Sequence, residues 1–191
     1  MNFFGLYKST LEMKSERNLI LYIACSLDGF IAKQNDDLSF LSMVEEPGED
    51  YGYHDFIDSI DCVLIGRKTY EWVMNQVSVF PHSNKETYVI TRKPRPSIGN
   101  IQFYTGSLKD LVFKLKAREG KHIFVDGGAE LVNALLKENL IDEFIISIIP
   151  VLLGNGLSLF KSDSFEIPMK LISTKQFNKG LVQLHYKRML T

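Results

Sequence analysis

Short, continuously apolar runs recur along the chain and alternate with segments in which apolar residues are spaced by three or four positions. The runs at residues 19–24 and 62–65 are typical of strands that are buried on both faces of a sheet. Positions 108, 111, 112 and 115 are leucine or valine, which predicts an amphipathic helix capped by Ser107. The same reasoning predicts further strands at 30–32, 87–90, 101–104, 121–125, 141–149, 171–176 and 182–189, and helices at 49–60, at 68–75 and from the glycine pair 127–128 to about 137.

This order of elements predicts the fold class. Strands that alternate with helices indicate an α/β protein with a mainly parallel central sheet and helices on both faces. The last two strands form a hairpin across residues 178–180, which adds antiparallel strands at one edge. No internal repeat or linker divides the sequence. We therefore predict one domain at residues 18–191, preceded by a mobile N-terminal extension at residues 1–17.

Composition excludes several classes of partner. The chain has 191 residues, a net charge of −1 and 45% hydrophobic residues, which is ordinary for a globular domain. This charge gives no bulk reason to expect binding to nucleic acid or to a membrane surface. No apolar run approaches the ~20 residues that a membrane-spanning helix needs. Residues 1–17 lack the order of a signal peptide, so a cytoplasmic protein is expected.

Cysteine, histidine and aromatic residues point to structural roles. Both cysteines lie in apolar runs and are expected to be buried, reduced thiols. The histidines lack metal-ligand spacing, so no metal is expected and each histidine is predicted to lie on the surface or at a strand end. The aromatic residues of the helical segments are predicted to belong to the core. The residues concerned are Cys25 and Cys62; His54, His82, His122 and His185; and Phe56, Tyr70 and Trp72.

Three predicted strand ends carry small or basic residues, and an open α/β sheet binds its ligands at such ends. Gly66 is followed by Arg67, Lys68 and Thr69 at the start of a helix, an arrangement that suits a phosphate group or is simply a solvated basic helix start. Residues 126–130 place two glycines between a strand and a helix, where a diphosphate could contact bare backbone. The alternative for this segment is a tight structural turn.

The third strand end has Thr91 followed by Arg92 and Lys93. Arg92 could pair with a ribose 2′-phosphate, as arginine does in sites for NADP, or belong to a solvated loop. A full dinucleotide fingerprint and a phosphate-binding lysine loop are both absent from the sequence.

Four segments, in order, resemble one family. They read A-C-S-L-D-G-F-I-A at 24–32, V-L-I-G-R-K-T-Y-E at 63–71, V-D-G-G at 125–128 and P-V-L-L-G-N-G at 150–156. Together they resemble the dihydrofolate reductase superfamily, and within it the reductase domain of riboflavin biosynthesis (the RibD C-terminal type). The resemblance implies the three-layer dihydrofolate-reductase-like fold, and NADPH as cofactor. The residues implied in cofactor binding are Ala24, Ile31, Gly66, Arg67, Lys68, Thr69, Thr91, Arg92, Gly127, Gly128, Ala129, Glu130, Leu131 and Val132.

The resemblance also implies residues on the substrate side. Asp126 matches an acidic residue that contacts substrate in the riboflavin branch, and Asp50 corresponds to the pterin-binding carboxylate of dihydrofolate reductases. Glu49 and Asp55 compete with Asp50, which is alternatively a helix N-terminal charge. Phe40 stands where the branch commonly has tryptophan. The basic residues expected for a ribose-phosphate substrate are not evident at 33–53.

The predicted function is NADPH-dependent hydride transfer to a small heterocyclic or carbonyl substrate, resembling 5-amino-6-(5-phosphoribosylamino)uracil reductase, with Asp126 or Asp50 as the catalytic carboxylate. The alternatives are a dihydrofolate reductase and an NADPH-binding sensor without turnover. A homodimer is expected, because riboflavin-type reductase domains are usually dimers. Residues 151–153 are also apolar and follow Pro150, a residue that ends strand pairing. The alternative is that the C-terminal hairpin covers these three residues.

Overall fold

A computed structural model describes residues 17–161 and 166–189. The predicted mobile extension lies outside these ranges except for Arg17. That residue is buried, and its guanidinium group pairs with the Asp61 carboxylate at 2.5 Å and donates to the Glu119 carbonyl oxygen. Arg17 is therefore part of the folded domain. No helix in the described part of the chain is long and apolar enough to cross a membrane.

The described residues form ten strands, four α-helices and three short 3-10 helices. The strands are β1 (Leu19–Ser26), β2 (Phe30–Ala32), β3 (Ile60–Gly66), β4 (Glu86–Ile90), β5 (Ile101–Tyr104), β6 (His122–Gly127), β7 (Glu143–Ile149), β8 (Leu157–Ser158), β9 (Met169–Gln176) and β10 (Val182–Arg188). The helices are α1 (Tyr53–Asp58), α2 (Arg67–Gln76), α3 (Leu108–Lys116) and α4 (Ala129–Lys137), and the 3-10 helices are Gln34–Asp36, Ser39–Val44 and Asn178–Gly180.

Eight strands form one sheet in the order β5-β4-β3-β6-β1-β7-β10-β9. Neighbouring strands from β5 to β7 are parallel, whereas β10 runs antiparallel to both β7 and β9. Strands β2 and β8 form a separate antiparallel pair. The predicted fold class, a mainly parallel sheet with an antiparallel C-terminal hairpin, is confirmed.

Side chains alternate between the two faces of the sheet. On one face, Leu19 and Leu21 of β1 belong to the main core, which the apolar residues of α3 and α4 complete. On the other face, Ile20 packs in a cluster with Phe56 of α1, and Tyr70 of α2 packs in a neighbouring cluster. The sheet is thus the middle of three layers. Both cysteines are buried and free, as predicted.

Two predictions about individual residues are wrong. Trp72 is 37% exposed, because it lies two positions after the buried Tyr70 and two residues so spaced point to different sides of a helix. His82 is buried rather than on the surface, because its ring packs edge-on against Phe80 and Phe124 under α1.

The helix predicted at 49–60 begins only at Tyr53. Tyr51 and Gly52 both have positive φ, of 59° and 80°, which is incompatible with an α-helix. By contrast, the predicted cap of α3 is confirmed, since the Asp110 N–H donates to Ser107 Oγ at 3.3 Å.

Candidate functional site

Two helix N-termini lie side by side at the carboxyl edge of the sheet. Neighbouring strands β3 and β6 lead directly into α2 and α4, with Gly66 and Gly128 as the residues before each helix. A Cβ atom on Gly66 would lie 3.4 Å from both Gly127 O and Gly128 N, and one on Gly128 would lie 2.9 Å from Thr69 Oγ1. A cis peptide bond joins the two glycines of the second turn. The turns therefore touch through backbone that a side chain would obstruct.

Both helix N-termini are open. Neither Gly66 nor Gly128 has a side chain that could cap its helix, so the first backbone N–H groups of α2 and α4 are available to an anion. In α4, Val132 N–H already donates to the Gly128 carbonyl oxygen. Ala129, Leu131 and Val132 have buried side chains, and Glu130 is exposed. Only the backbone of this helix start could contact a ligand, together with the Glu130 side chain.

Cationic side chains surround these turns. Arg67 forms an ion pair with Glu71 one turn further along α2, and Lys68 Nζ lies 3.7 Å from Glu130 Oε1 across the two helix starts. Arg95, which the sequence analysis missed, also pairs with Glu71 at 2.8 Å. Its guanidinium group lies 5.5 Å from the centre of the Phe103 ring. The P-R-P segment that follows Arg92 was the available sequence signal for Arg95.

Thr91 and Arg92 follow the end of β4, beside this cluster. The Thr91 hydroxyl oxygen accepts a hydrogen bond from Lys93 N at 3.2 Å, which fixes the turn that carries Arg92. Arg92 is exposed, and no ion pair found among the described residues includes it. Its guanidinium group is therefore available to a phosphate.

The first and last segments of the sequence resemblance are joined by one carboxylate. Asp28 accepts hydrogen bonds from the Ser26 hydroxyl at 2.6 Å and from the N–H groups of Leu153 and Gly154 at 3.1 and 2.7 Å. These bonds, led by that from Ser26, lower the pKa of Asp28. The loop after β1 and the loop after β7 are thereby held together at the sheet edge.

A cavity of about 280 Å³ opens against the ends of β1 and β7. Ala24, one of the residues that the resemblance implies in cofactor binding, lines it, whereas Ile31 in the middle of β2 packs against the main core. Glu45 and Asp50 line the cavity, and no lysine or arginine does so among the described residues. The remaining lining residues are Tyr22, Leu41, Val44, Tyr51, Tyr53, Ser147, Ile149 and Leu181.

Asp50 lines the cavity and also accepts hydrogen bonds from the backbone. Its two carboxylate oxygens accept hydrogen bonds from Gly52 N at 2.8 Å and His54 N at 2.9 Å, which shape the turn before α1. These bonds lower the pKa of Asp50, the bond from His54 being the largest cause. Asp50 is therefore a charged carboxylate at the cavity wall whose position is already fixed by the fold.

Asp126 lies at the end of β6, on the same face of the sheet as α1. About a quarter (24%) of its side-chain surface is exposed, and burial raises its pKa to about 7. His82 Nε2 lies 3.8 Å from Asp126 Oδ2 and 3.4 Å from the hydroxyl oxygen of Tyr53, a residue of the cavity wall. Asp126 is thus a carboxyl group able to hold a proton near neutral pH, and a buried histidine stands beside it.

A family model described as the RibD C-terminal domain matches residues 17–183 of the chain. This chain belongs to the RibD C-terminal domain family. Two relatives from Bacillus subtilis share this length. The uncharacterised protein YwjB is 44% identical over 174 residues, covering 91% of this chain and 99% of its own, and YyaP, also uncharacterised, is 34% identical over 183 residues, covering 90% and 95%.

Solved structures agree with membership of the RibD C-terminal domain family. A putative riboflavin biosynthesis protein from Shewanella sp. PV-4 has a TM-score of 0.82 and 29% identity, covering 91% of this chain and 99% of that protein. A dihydrofolate reductase from Enterococcus faecalis, complexed with NADP(H), has a TM-score of 0.63 and 18% identity, covering 90% and 96%. The predicted dihydrofolate-reductase-like fold is confirmed, and the RibD-type family indicates a reductase-like oxidoreductase.

Proposed function

We propose that this protein is an NADPH-dependent reductase that transfers hydride to a small heterocyclic or carbonyl substrate. The observation that carries the proposal is the pair of open helix N-termini in contact through Gly66, Gly127 and Gly128. Bare backbone N–H groups at two adjacent helix starts favour two linked phosphate groups, which is the chemistry of a dinucleotide. The cavity beside Ala24 leaves space for a ring next to this site.

The residues present fit NADPH in charge and in shape. The N-termini of α2 and α4 would hold the diphosphate, with Arg67, Lys68 and Thr69 on one side of it. Arg92 at the end of β4 would pair with the 2′-phosphate, and backbone groups of Ala24 and Ile31 would hold the carboxamide of the nicotinamide. When bound, the cofactor supplies a hydride, and the protein supplies orientation and electrostatics.

The cavity restricts the substrate. Three tyrosines and several aliphatic side chains suit a flat, uncharged ring, while Glu45 and Asp50 disfavour a phosphate at the wall. A protein from Thermotoga maritima described as a deaminase and 5-amino-6-(5-phosphoribosylamino)uracil reductase has a TM-score of 0.67 and 17% identity, covering 92% of this chain and 58% of that protein. The substrate named in that protein's description carries a phosphoribosyl group, which the lining of this cavity does not complement.

Asp50 favours one further candidate, a dihydrofolate reductase. Its charged carboxylate lies at the cavity wall, where the resemblance places the pterin-binding group. Glu49 and Asp55 do not line the cavity among the described residues. Dihydrofolate therefore belongs in any substrate test.

Two measurements test the proposal. Isothermal titration calorimetry with NADPH measures cofactor binding, and we expect a one-to-one complex that is tighter than with NADH. Oxidation of NADPH is then followed with three candidate substrates: dihydrofolate, the phosphoribosylaminouracil, and the same uracil without its phosphate group. We expect turnover of a substrate that carries no phosphate group. Absence of NADPH binding would refute the proposal, and binding without turnover of any substrate would support a sensor instead.

A further inference from the structure

Three polar side chains from separate parts of the chain meet on the α1 face of the sheet. Tyr53 begins α1, His82 lies between α2 and β4, and Asp126 ends β6. His82 Nε2 is 3.4 Å from Tyr53 Oη and 3.8 Å from Asp126 Oδ2. A single ring nitrogen therefore stands between the cavity wall and the carboxyl group at the glycine turn.

The surroundings of His82 keep the imidazole neutral. Its exposed surface is 5%, and Phe80 and Phe124 contact the ring edge-on at centroid distances of 5.4 and 5.8 Å. Burial, and after it the charge of Lys85, lower its pKa to about 4. A neutral imidazole has one nitrogen that accepts a hydrogen bond and one that donates.

The Asp126 carboxyl group lies beside a nitrogen of this imidazole that could accept a hydrogen bond. Among the described residues it accepts no hydrogen bond, and His82 Nε2 is the nitrogen found near it. At 3.8 Å the two atoms are just beyond hydrogen-bond distance, and the side-chain torsion that turns a carboxyl group is soft. When the carboxyl group is protonated, a small rotation lets its O–H donate to the single lone pair of Nε2 in place of the Tyr53 hydroxyl, or turn away toward the sheet edge.

We propose that His82 is a positioning residue that holds the protonated carboxyl group of Asp126 ready to donate the proton consumed by the reduction. This proposal rests on the proposed reductase function. Reduction of a C=N or C=O group adds hydride at carbon and requires a proton at nitrogen or oxygen. The Asp126 O–H bond breaks, an N–H or O–H bond forms on the substrate, and the Asp126 carboxylate regains a proton from water.

The proposed role of His82 predicts that its ring nitrogen affects the pKa of Asp126. Burial alone already raises the pKa of Asp126, and a hydrogen bond from the neutral acid to Nε2 would stabilise the protonated form further. The charged and titratable groups that face this cluster are Lys85 beside His82, and Tyr53 with Tyr22 on the side of α1. If His82 acts only by excluding water, any buried ring in its place would preserve the titration of Asp126.

The experiment separates the nitrogen from the bulk of the ring. The Asp126 carboxyl carbon is followed by NMR over pH in the wild type, in His82→Phe, which keeps a buried ring, and in His82→Gln, which restores an acceptor near Nε2. We expect His82→Phe to lower the pKa of Asp126 by about one unit, the size of one hydrogen bond, and His82→Gln to recover most of that shift. His54→Phe is the matched control, because His54 is exposed on α1.

Activity provides the second measurement. The pH at which NADPH oxidation falls to half should move down with the pKa of Asp126 in His82→Phe and return in His82→Gln. The proposal is overturned if Asp126 titrates identically in the wild type and His82→Phe, or if His82→Gln does not recover the shift. The titration of Asp126 is measured without cofactor. A failure of NADPH binding would therefore contradict the reductase function but would not change the titration results for His82→Phe and His82→Gln.

Discussion

Arg92 allows a direct test of how this site would distinguish NADPH from NADH. Its guanidinium group is exposed at the end of β4, and no ion pair among the described residues engages it. Arg67 and Arg95, by contrast, both pair with Glu71, so part of their charge is already neutralised. We expect Arg92→Ala to weaken NADPH binding and leave NADH binding nearly unchanged.

The magnitude follows from one charge-assisted contact at an exposed position. Such hydrogen bonds contribute about 1.5–3 kcal/mol, and screening by solvent favours the lower end of this range. Since about 1.4 kcal/mol corresponds to a factor of ten, Arg92→Ala should raise the Kd for NADPH by roughly ten- to thirtyfold. The effect should shrink as salt concentration rises, because the contact is exposed.

Calorimetry with both cofactors measures the change, and Lys93→Ala is the matched control. Lys93 is the adjacent exposed cation, and its backbone N–H, rather than its side chain, holds the turn by donating to Thr91. An equal loss in Lys93→Ala would mean that general charge, and not a placed guanidinium group, attracts NADPH. Equal affinity of the wild type for NADPH and NADH would refute the 2′-phosphate assignment altogether.

Three other changes test the fold and its assembly. Asn133→Leu should lower the free energy of unfolding by about 2–4 kcal/mol in urea titrations, because the buried amide bonds to backbone at residues 129, 159 and 161. Asp28→Asn should make the protein less sensitive to acid: a lowered pKa stabilises the fold above the ordinary value of 3.8, and this stability is lost as pH falls through the folded pKa. Leu152→Glu should weaken a homodimer measured by light scattering, because Leu152 is 69% exposed beside Pro150.

Each of these three expectations has an outcome that contradicts it. Unchanged urea unfolding of Asn133→Leu would mean that water replaces the amide. If Asp28→Asn and the wild type unfold at the same pH, the Asp28 carboxylate does not stabilise the contact between the loops after β1 and β7. A wild-type mass near 21.9 kDa at every concentration would refute the dimer, and equal weakening by Phe113→Glu on α3 would place the interface elsewhere.

The sequence was informative where structure depends on neighbours along the chain. Strand β5 matches its predicted bounds, and Ser107 caps α3 as expected, because apolar spacing and capping chemistry are local. The glycine turns were also recognisable, since a strand, one or two glycines and a helix start follow one another directly. The positions of Gly66 and Gly128 between a strand and a helix could be predicted, but not the contact between them, which depends on the order of strands in the sheet.

His82 shows why the rest of the site could not be predicted. It stands in a loop without apolar periodicity, among Pro81, Ser83 and Asn84, and nothing local indicates burial. Burial arises from Phe124 of the adjacent β6 and from α1 above it, both distant in sequence. Likewise, the apolar residues at 151 and 153 pack with the 3-10 helix Ser39–Val44, so the predicted exposed patch reduces to Leu152.

The central place of β1 also sets the order in which the chain can fold. It is the first of the described strands along the chain, yet its hydrogen-bonded neighbours are β6 and β7, and the bond from Asn18 N to His122 Nδ1 spans 104 residues. Such long-range pairing slows folding, because the chain loses the entropy of loop closure before the contacts between the strands stabilise it. During synthesis on the ribosome, β1 therefore has neither of these two partner strands until β6 emerges. In this interval its apolar residues are exposed and can bind chaperones or aggregate.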